Sequence, residues 1–429
     1  MSKTPKISIF KKLVYLPLYA SVHVVGRIFY SKIEIINKEG LKLDKPTIVI
    51  SNHPSTMMDP VNVAARVNRY VHFLANAGLF QTAFTNWFFS TFFCIPVQRK
   101  KDNGKRRFDN EKSFDKSFEF LKSGGCLYIA AEGVSTPEHD LKKLKSGAAR
   151  IALGVIQEFG NEIDLQIIPV GLYYESAQKF SKPLLINVGA PIDPKKWSND
   201  FEKNERKAVR DLTSTLQEKT EELLVNVDGQ AQDLFFRRIE EMVNFNQPVD
   251  LRNQFWRSKA LAEETQKQLF DSLGEKVEKL TTQLERFKFS ISSVFGKTKY
   301  HWWHLLAPLA LLGLLTNIVP AIIVSLIRRI ANIYPGYDST IYVLMGMIVF
   351  PMAYRFNNFF LSHLFEIGYW WPLLWVVYIF LGMFAHSWIL SLHRGLERRR
   401  WKDYGASSEN GKEVLRLKKE ILKELTPYI

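Results

Sequence analysis

Residues 303 to 392 contain very few charges and many aromatics, whereas residues 1 to 300 read as an α/β body with charged helices. This contrast divides the chain first, because an apolar stretch near twenty residues can cross a ~30 Å hydrocarbon core. His304 to Ile327 and Tyr369 to Leu392 both qualify, and Ile341 to Tyr354 is a shorter third candidate ended by Arg355. Three complete crossings would set the basic run Arg394 to Lys402 opposite the soluble part, against the tendency of positive loops to stay cytoplasmic. Pro320 offers another path, a re-entrant hairpin that returns Arg328 and Arg329 to the cytoplasmic side.

The net charge of +15 asks for an anionic partner, and the placement of the basic residues selects a membrane surface. Lys11 and Lys12 precede the apolar run Leu13 to Val25, Arg328 and Arg329 follow the first candidate span, and Arg394 to Lys402 follow the last. No nucleic-acid signature appears, so nucleic acid is not expected as a partner. Two cysteines, Cys94 and Cys126, lie inside apolar runs, which excludes a disulfide framework and predicts core thiols in a reducing compartment. Leu13 to Val25 is broken by Pro17 and lacks a convincing cleavage site, so Phe10 to Tyr30 reads as an interfacial helix rather than a secretory leader.

Short β-rich runs alternate with helical ones from residue 33 to about 190. The expected strands are Ile33 to Ile36, Thr47 to Ser51, Val71 to Ala75, Cys94 to Val97, Leu127 to Ala131, Leu165 to Leu172 and Leu184 to Val188. Several are continuously apolar, as in a sheet covered on both faces. Helices are expected at 109 to 122, 146 to 158 and 203 to 226. Beyond Ala231 the chain becomes charged and strand-poor, predicting two or three long amphipathic helices interrupted at Gln247-Pro248. The resulting layout is an interfacial helix over 1–32, an α/β domain over 33–228, amphipathic helices over 229–300, transmembrane or re-entrant helices over 301–393 and a basic cytosolic tail over 394–429. The helices of 229–300 are a candidate extended insert, a contact with a second copy of the chain, or a stalk placing the α/β body over the bilayer.

The chemistry concentrates in Asn52-His53-Pro54-Ser55-Thr56-Met57-Met58-Asp59-Pro60, directly after the strand-like run Thr47 to Ser51. A neutral imidazole can take a proton from a hydroxyl near pH 7, and a carboxylate can hold the ring and stabilise the imidazolium. Six positions along one helix would rotate Asp59 about 240° from His53, so the two meet only if the chain turns between them. Pro54 favours that turn, with Ser55 or Thr56 available to cap a helix through Asp59 to Arg66.

Three further segments accompany it. Cys94 to Val97 runs into Gln98-Arg99 and a basic loop to Arg107, in which the Arg99 guanidinium suits two phosphate oxygens. Leu127 to Ala131 ends in Glu132-Gly133-Val134-Ser135, and Lys145-Ser146-Gly147-Ala148-Ala149-Arg150 opens a helix whose free N–H groups form an anion site. Ile167 to Leu172 contains Pro169, which implies an edge strand or a bulge. Elsewhere, His301 and His304 around Trp302-Trp303 read as an interfacial aromatic cluster, and Arg355, His363, Glu366 and His386 mostly as interface positions.

These blocks, in this order, resemble the four motif blocks of the glycerol-phosphate and lysophospholipid acyltransferases. The resemblance covers roughly residues 10 to 225. Two departures stand out: five residues separate His53 from Asp59 where four are commoner, and Glu-Gly-Val-Ser replaces Glu-Gly-Thr-Arg. Both resemble the branch acylating glycerol 3-phosphate or dihydroxyacetone phosphate. The resemblance implies a glycerol-phosphate acyltransferase-like mixed sheet flanked by helices. It also implies His53 as general base, Asp59 as its orienting partner, and Arg99, Glu132, Gly133 and Lys145 as the glycerol-phosphate site, with Ser135 and Arg150 in second rank. No covalent acyl-enzyme, metal or cofactor is needed; the co-substrate is an acyl-CoA or acyl-carrier-protein thioester.

The chain is therefore expected to be an integral-membrane O-acyltransferase of phospholipid synthesis, its catalytic domain on the cytoplasmic face and its partners membrane lipids, the thioester donor and the phosphate acceptor. Alternatives are a lysophosphatidate acyltransferase, a non-catalytic lipid-binding scaffold, and a lipid transporter fused to the acyltransferase.

Overall fold

The computed structural model describes residues 8–98, 110–296, 302–365, 371–405 and 407–428. The chain divides into two units, Met1–Leu224 and Val225–Ile429.

In the first unit, β1 (Tyr30–Ile36), β2 (Thr47–Ser51), β3 (Val71–Asn76), β4 (Cys94–Val97), β5 (Cys126–Ala130), β6 (Gln166–Tyr174) and β7 (Lys182–Val188) form one sheet. Their order is β1-β7-β6-β2-β5-β3-β4. Only β6 and β7 pair antiparallel; the other neighbours are parallel. Each strand falls on one of the seven runs expected from the sequence. Parallel neighbours need crossovers, and the unit's helices are α1 (Ile9–Phe29), α2 (Met58–Ala64), α3 (Ala83–Thr91), α4 (Asn110–Lys122), α5 (Gly147–Phe159), α6 (Ser198–Lys203) and α7 (Glu205–Glu221). β2 is buried along its whole length. Ile48 and Ile50 pack with Leu127 and Ile129 of β5 against Ala148, Ala149, Ile151, Ala152 and Val155 of α5 and Leu212 and Leu216 of α7. Each such isoleucine, leucine or valine contributes roughly 1.5–3 kcal/mol by leaving water, and the α5 alanines let helix and sheet approach closely.

Two prolines lie inside regular elements. Pro169 lies in an interior strand, opposite Ile50 of β2, and not on an edge. It is accommodated where the ladder on its other side slips: Ile167 bridges Ile192, whereas β7 pairing begins only at Val170 with Val188. The missing N–H therefore falls at an irregularity. Gly171, two residues on, lies against the Leu223 carbonyl and leaves no room for a Cβ. Pro17 sits inside α1 without ending it.

The second unit is helical throughout its described residues. α8 (Gln230–Asn246) ends at the expected Gln247-Pro248 break, and α9 (Leu251–Glu264) continues through a wide turn, Thr265–Leu269, into α10 (Phe270–Arg286). After α11 (Ile291–Phe295) come α12 (Ala307–Ala331), α13 (Asp338–Phe365), α14 (Trp371–Arg400) and α15 (Glu409–Glu424). The apolar stripes of α8 (Phe236, Ile239, Val243), α10 (Leu273, Val277, Leu280, Leu284) and α15 (Val414, Leu417, Ile421) are buried within the unit. α15 also turns the expected basic tail into a folded helix, bound to α10 by Lys276–Glu424 and Lys279–Glu413 ion pairs.

Three segments, His304–Ala331, Pro335–His363 and Leu373–Asp403, are long and apolar enough to cross a membrane. Pro320 does not reverse the chain: α12 runs straight through it, and no hairpin forms. Arg355 likewise does not end the next segment, since α13 continues ten residues further to Phe365. A long side chain on a helix surface can carry its charge away from apolar surroundings without breaking the backbone. A polar hub joins the three helices. Asn317 of α12 donates to the Tyr378 carbonyl of α14 (3.0 Å) and accepts from the Tyr354 hydroxyl of α13 (2.6 Å). At the α12–α13 turn, Arg328 grips Asp338 through both carboxylate oxygens (2.9 and 2.7 Å).

Candidate active site

β2 ends at Ser51, in the middle of the sheet with β6 on one side and β5 on the other. The Asn52 side chain then stands in for a strand residue: its amide donates to the Leu172 carbonyl (2.9 Å) and accepts from the Leu172 N–H (2.8 Å). β6 thus remains paired while the backbone leaves the sheet. His53 and Pro54 follow, and Thr56 takes a left-handed conformation (φ 43°). The turn puts Asp59 in the first turn of α2, its Oδ2 3.0 Å from His53 Nδ1. The expected Ser55 or Thr56 cap does not form, because α2 begins after Met57 with no side-chain cap. Asp59 reaches back to accept from the Ser55 N–H (2.7 Å) instead, fixing the turn with the same carboxylate that meets the imidazole.

Asp59 is fully buried. Its second oxygen accepts from the Tyr174 hydroxyl at the end of β6 (2.8 Å). Burial first, and then the neighbouring Asp59 charge, push the Tyr174 phenol well above its ordinary value, so it stays protonated and donates. A carboxylate with this cage asks for hydrogen on Nδ1 of His53, which leaves Nε2 as the proton acceptor. The His53 side chain is 18% exposed, within reach of a substrate.

Glu132 follows β5 and is 3% exposed. One oxygen accepts from the His53 N–H (2.6 Å) and the other from the Lys142 N–H (3.0 Å). Burial raises its carboxyl to about 7, opposed by those two N–H groups. Gly133 has φ 69°, and a Cβ there would meet the Lys145 side chain at 3.4 Å. Lys145 is exposed just before the Ser146 N-cap of α5, and its N–H binds the Ala131 carbonyl (2.8 Å). Ser135 accepts from the Thr56 N–H (3.0 Å), and Thr136 N–H reaches the His53 carbonyl (3.2 Å), so the two loops are laced together.

The structure therefore gathers His53, Asp59, Glu132, Gly133, Ser135 and Lys145 into one connected set. Arg150 lies one turn into α5 on its exposed side. Arg99 and the basic loop to Arg107 lie outside the described residues, as do His301 and Glu366. His304 meets Ser391 at 3.1 Å and packs edge-on against Trp388. Sequence reasoning missed Tyr174, whose hydroxyl partner is 115 residues away, and the strand-extending part played by Asn52. Burial pushes the Cys94 and Cys126 thiols up to about 12, so neither offers a thiolate nucleophile.

A buried carboxylate orienting a partly exposed histidine at a strand end, beside a helix N-terminus, is equipment for deprotonating a hydroxyl near an anion. Residues 32–173, all within the α/β unit, match the model of a family described as acyltransferase. The chain is 31% identical over 111 residues to glycerol-3-phosphate O-acyltransferase 1 of Saccharomyces cerevisiae, covering 25% of this chain and 14% of that protein. It is 28% identical over 147 residues to glycerol-3-phosphate O-acyltransferase 2 of the same yeast, covering 34% and 19%. Both matches thus span less than a fifth of the relatives' length. Among solved structures, the 1-acyl-sn-glycerophosphate (LPA) acyltransferase PlsC from Thermotoga maritima aligns at 19% identity over 48% of this chain and 80% of that one. Its TM-score of 0.35 is too loose a superposition to add to the fold described above.

Proposed function

We propose that the chain is a membrane-bound O-acyltransferase of phospholipid synthesis, moving a fatty acyl group from an acyl thioester to glycerol 3-phosphate or dihydroxyacetone phosphate. The observation that carries this is the His53–Asp59 pair, held at 3.0 Å on the end of a central strand within the acyltransferase match. His53 Nε2 takes the proton of the acceptor hydroxyl as its oxygen attacks the thioester carbonyl. The tetrahedral intermediate collapses, the C–S bond breaks, and the imidazolium returns the proton to the departing thiolate. Asp59 stabilises the imidazolium in between. Lys145 and the N-terminus of α5 supply positive charge for the acceptor phosphate.

Glycerol 3-phosphate is favoured over lysophosphatidate by the six-position step from His53 to Asp59, by the Glu-Gly-Val-Ser block and by the activity for which both yeast relatives are named. Membrane seating is supported by the three apolar helices and, in the α/β unit, by exposed Ile9, Leu13 and Leu16 on α1 and Phe84 and Trp87 on α3. We place the catalytic unit on the cytoplasmic face, where acyl thioesters are available.

The test is an acceptor panel. Purified chain in lipid receives labelled palmitoyl-CoA or acyl-carrier-protein donor with glycerol 3-phosphate, dihydroxyacetone phosphate or lysophosphatidate. Turnover is expected with one of the first two and its loss in His53→Ala; unchanged turnover in that variant would overturn the mechanism.

A further inference from the structure

We infer that Glu132 is a positioning residue that clamps the His53 turn to the loop leading to Lys145, and does not bind substrate. The inference rests on the acyltransferase reading above and reassigns one residue within it. Three features carry it. Glu132 is almost wholly buried, so little of its carboxylate faces a ligand. Each of its oxygens already receives a backbone N–H, one from the base itself and one from Lys142. Finally, an ionised carboxylate repels the phosphate that Lys145 and α5 attract, so direct contact with the acceptor's charged end is unfavourable.

The clamp spans two strand ends. His53 follows β2, Glu132 follows β5, and the Lys142 loop returns to β5 through the Lys145–Ala131 backbone bond. Lys142 is itself tethered to Asp140 (2.6 Å). A single carboxylate thus sets the distance between the proton acceptor and the residue placed for the phosphate. An ionised carboxylate accepts both N–H groups strongly; a protonated one keeps one strong acceptor and meets the other N–H with its hydroxyl oxygen, a weaker one. Losing the proton therefore gives both N–H groups a full acceptor but leaves a buried charge, and burial outweighs the two bonds. The charged and titratable groups around it are His53 and Asp59 from the β2–α2 turn, Tyr128 from β5, and Glu138, Asp140 and Lys142 from the loop. With burial holding the carboxyl near neutrality, this exchange falls within the working range of a histidine base.

The experiment uses the full chain in lipid nanodiscs, with palmitoyl-CoA and glycerol 3-phosphate as probes. Glu132→Gln keeps the shape but must present an NH2 to one of the two N–H groups. We expect kcat to fall about 100-fold with the glycerol 3-phosphate KM changed less than twofold. The acid limb of the wild-type kcat profile should be steeper than one proton, and that of the variant a one-proton limb. A tenfold rise in KM with kcat retained would instead make Glu132 an acceptor ligand and overturn the inference. A second readout needs neither turnover nor a variant: hydrogen-exchange protection factors for peptides containing His53 and Lys142, corrected for intrinsic rates. In wild type these should fall at least tenfold from pH 5.5 to pH 8, as Glu132 gives up its proton, while a peptide from α7 stays constant. Constant protection at His53 and Lys142 overturns the clamp even if no acceptor is turned over, whereas failure of the acceptor panel with normal pH-dependent protection overturns only the acyltransferase reading.

Discussion

Replacing Asp59 by Asn tests the electrostatics of the site most directly, because the cage around the carboxylate dictates how the amide must sit. Oδ2 receives the Ser55 N–H at 2.7 Å and faces His53 Nδ1 at 3.0 Å, while Oδ1 receives the Tyr174 hydroxyl at 2.8 Å. A backbone N–H cannot become an acceptor, but a phenol can. The amide oxygen is therefore expected on the Oδ2 side and its NH2 toward Tyr174, which preserves hydrogen on Nδ1 and keeps Nε2 free to act as base. What the variant loses is the charge beside the imidazolium. Two unit charges about 4 Å apart at an effective dielectric constant near 20 interact by about 4 kcal/mol. Half to all of that, at about 1.4 kcal/mol per decade, corresponds to a roughly 30- to 1,000-fold fall in kcat. In a serine-protease triad the same change gives the wrong tautomer and costs ~10⁴-fold. Steady-state kinetics with glycerol 3-phosphate and palmitoyl-CoA should show the smaller loss, with acceptor KM within about twofold. A loss of 10⁴-fold or more would refute the amide orientation; a loss below about threefold would refute the charge pairing itself.

Tyr174→Phe removes the donor to Asp59 Oδ1 while keeping the ring, leaving a buried acceptor short of a partner at a cost of about 1–3 kcal/mol; a roughly 5- to 100-fold lower kcat with unchanged thermal stability of the helical unit is expected, and normal kcat would exclude a positioning role. Gly133→Ala forces an L-residue into φ 69° at about 1–2 kcal/mol and presses on the Lys145 stem, so acceptor KM should rise several-fold in initial-rate assays. Glu132 titrates near 7 in the folded chain against 4.5 ordinarily, so the native state holds its proton longer; as pH rises from 4.5 to 7, wild type should lose about 3 kcal/mol of local stability relative to Glu132→Gln, measured by hydrogen exchange. An environment-sensitive dye on Phe84→Cys in nanodiscs should be quenched by brominated lipid, and a water-like spectrum would remove α3 from the membrane seat.

The sheet was legible in the sequence because parallel strands buried on both faces are written as uninterrupted runs such as Thr47 to Ser51, bounded by polar or turn residues. Helix continuity was less legible. Pro320 and Arg355 look like breaks, yet a proline inside a long helix forfeits one backbone bond while the neighbouring turns and packing hold; Pro320 is buried. The tail after Arg394 is conspicuous for its charge, whereas the stripe Val414, Leu417, Ile421 that buries it carries its signal in spacing, not composition. Within the site, His53 and Asp59 share a local motif, so their meeting followed from six residues and one proline. Tyr174 joins only through the sheet, and a tyrosine ending an apolar strand looks the same whether or not its hydroxyl has a partner.

The same distinction explains why the motif residues differ in what they do. Asn52 and Gly171 make it possible for backbone to leave or approach the sheet, and Ser135 laces one loop to another; all three are consumed by local structure. His53 and Lys145 keep part of their side chains toward solvent. Between these groups stands Glu132, whose burial as an anion is unfavourable by the amount its raised titration implies. A core selected for stability alone would place a neutral residue there. Its ionised form is instead matched to two backbone N–H groups, one of them on the base, which is the expected signature of a position where stability is given up to hold a reactive turn in register.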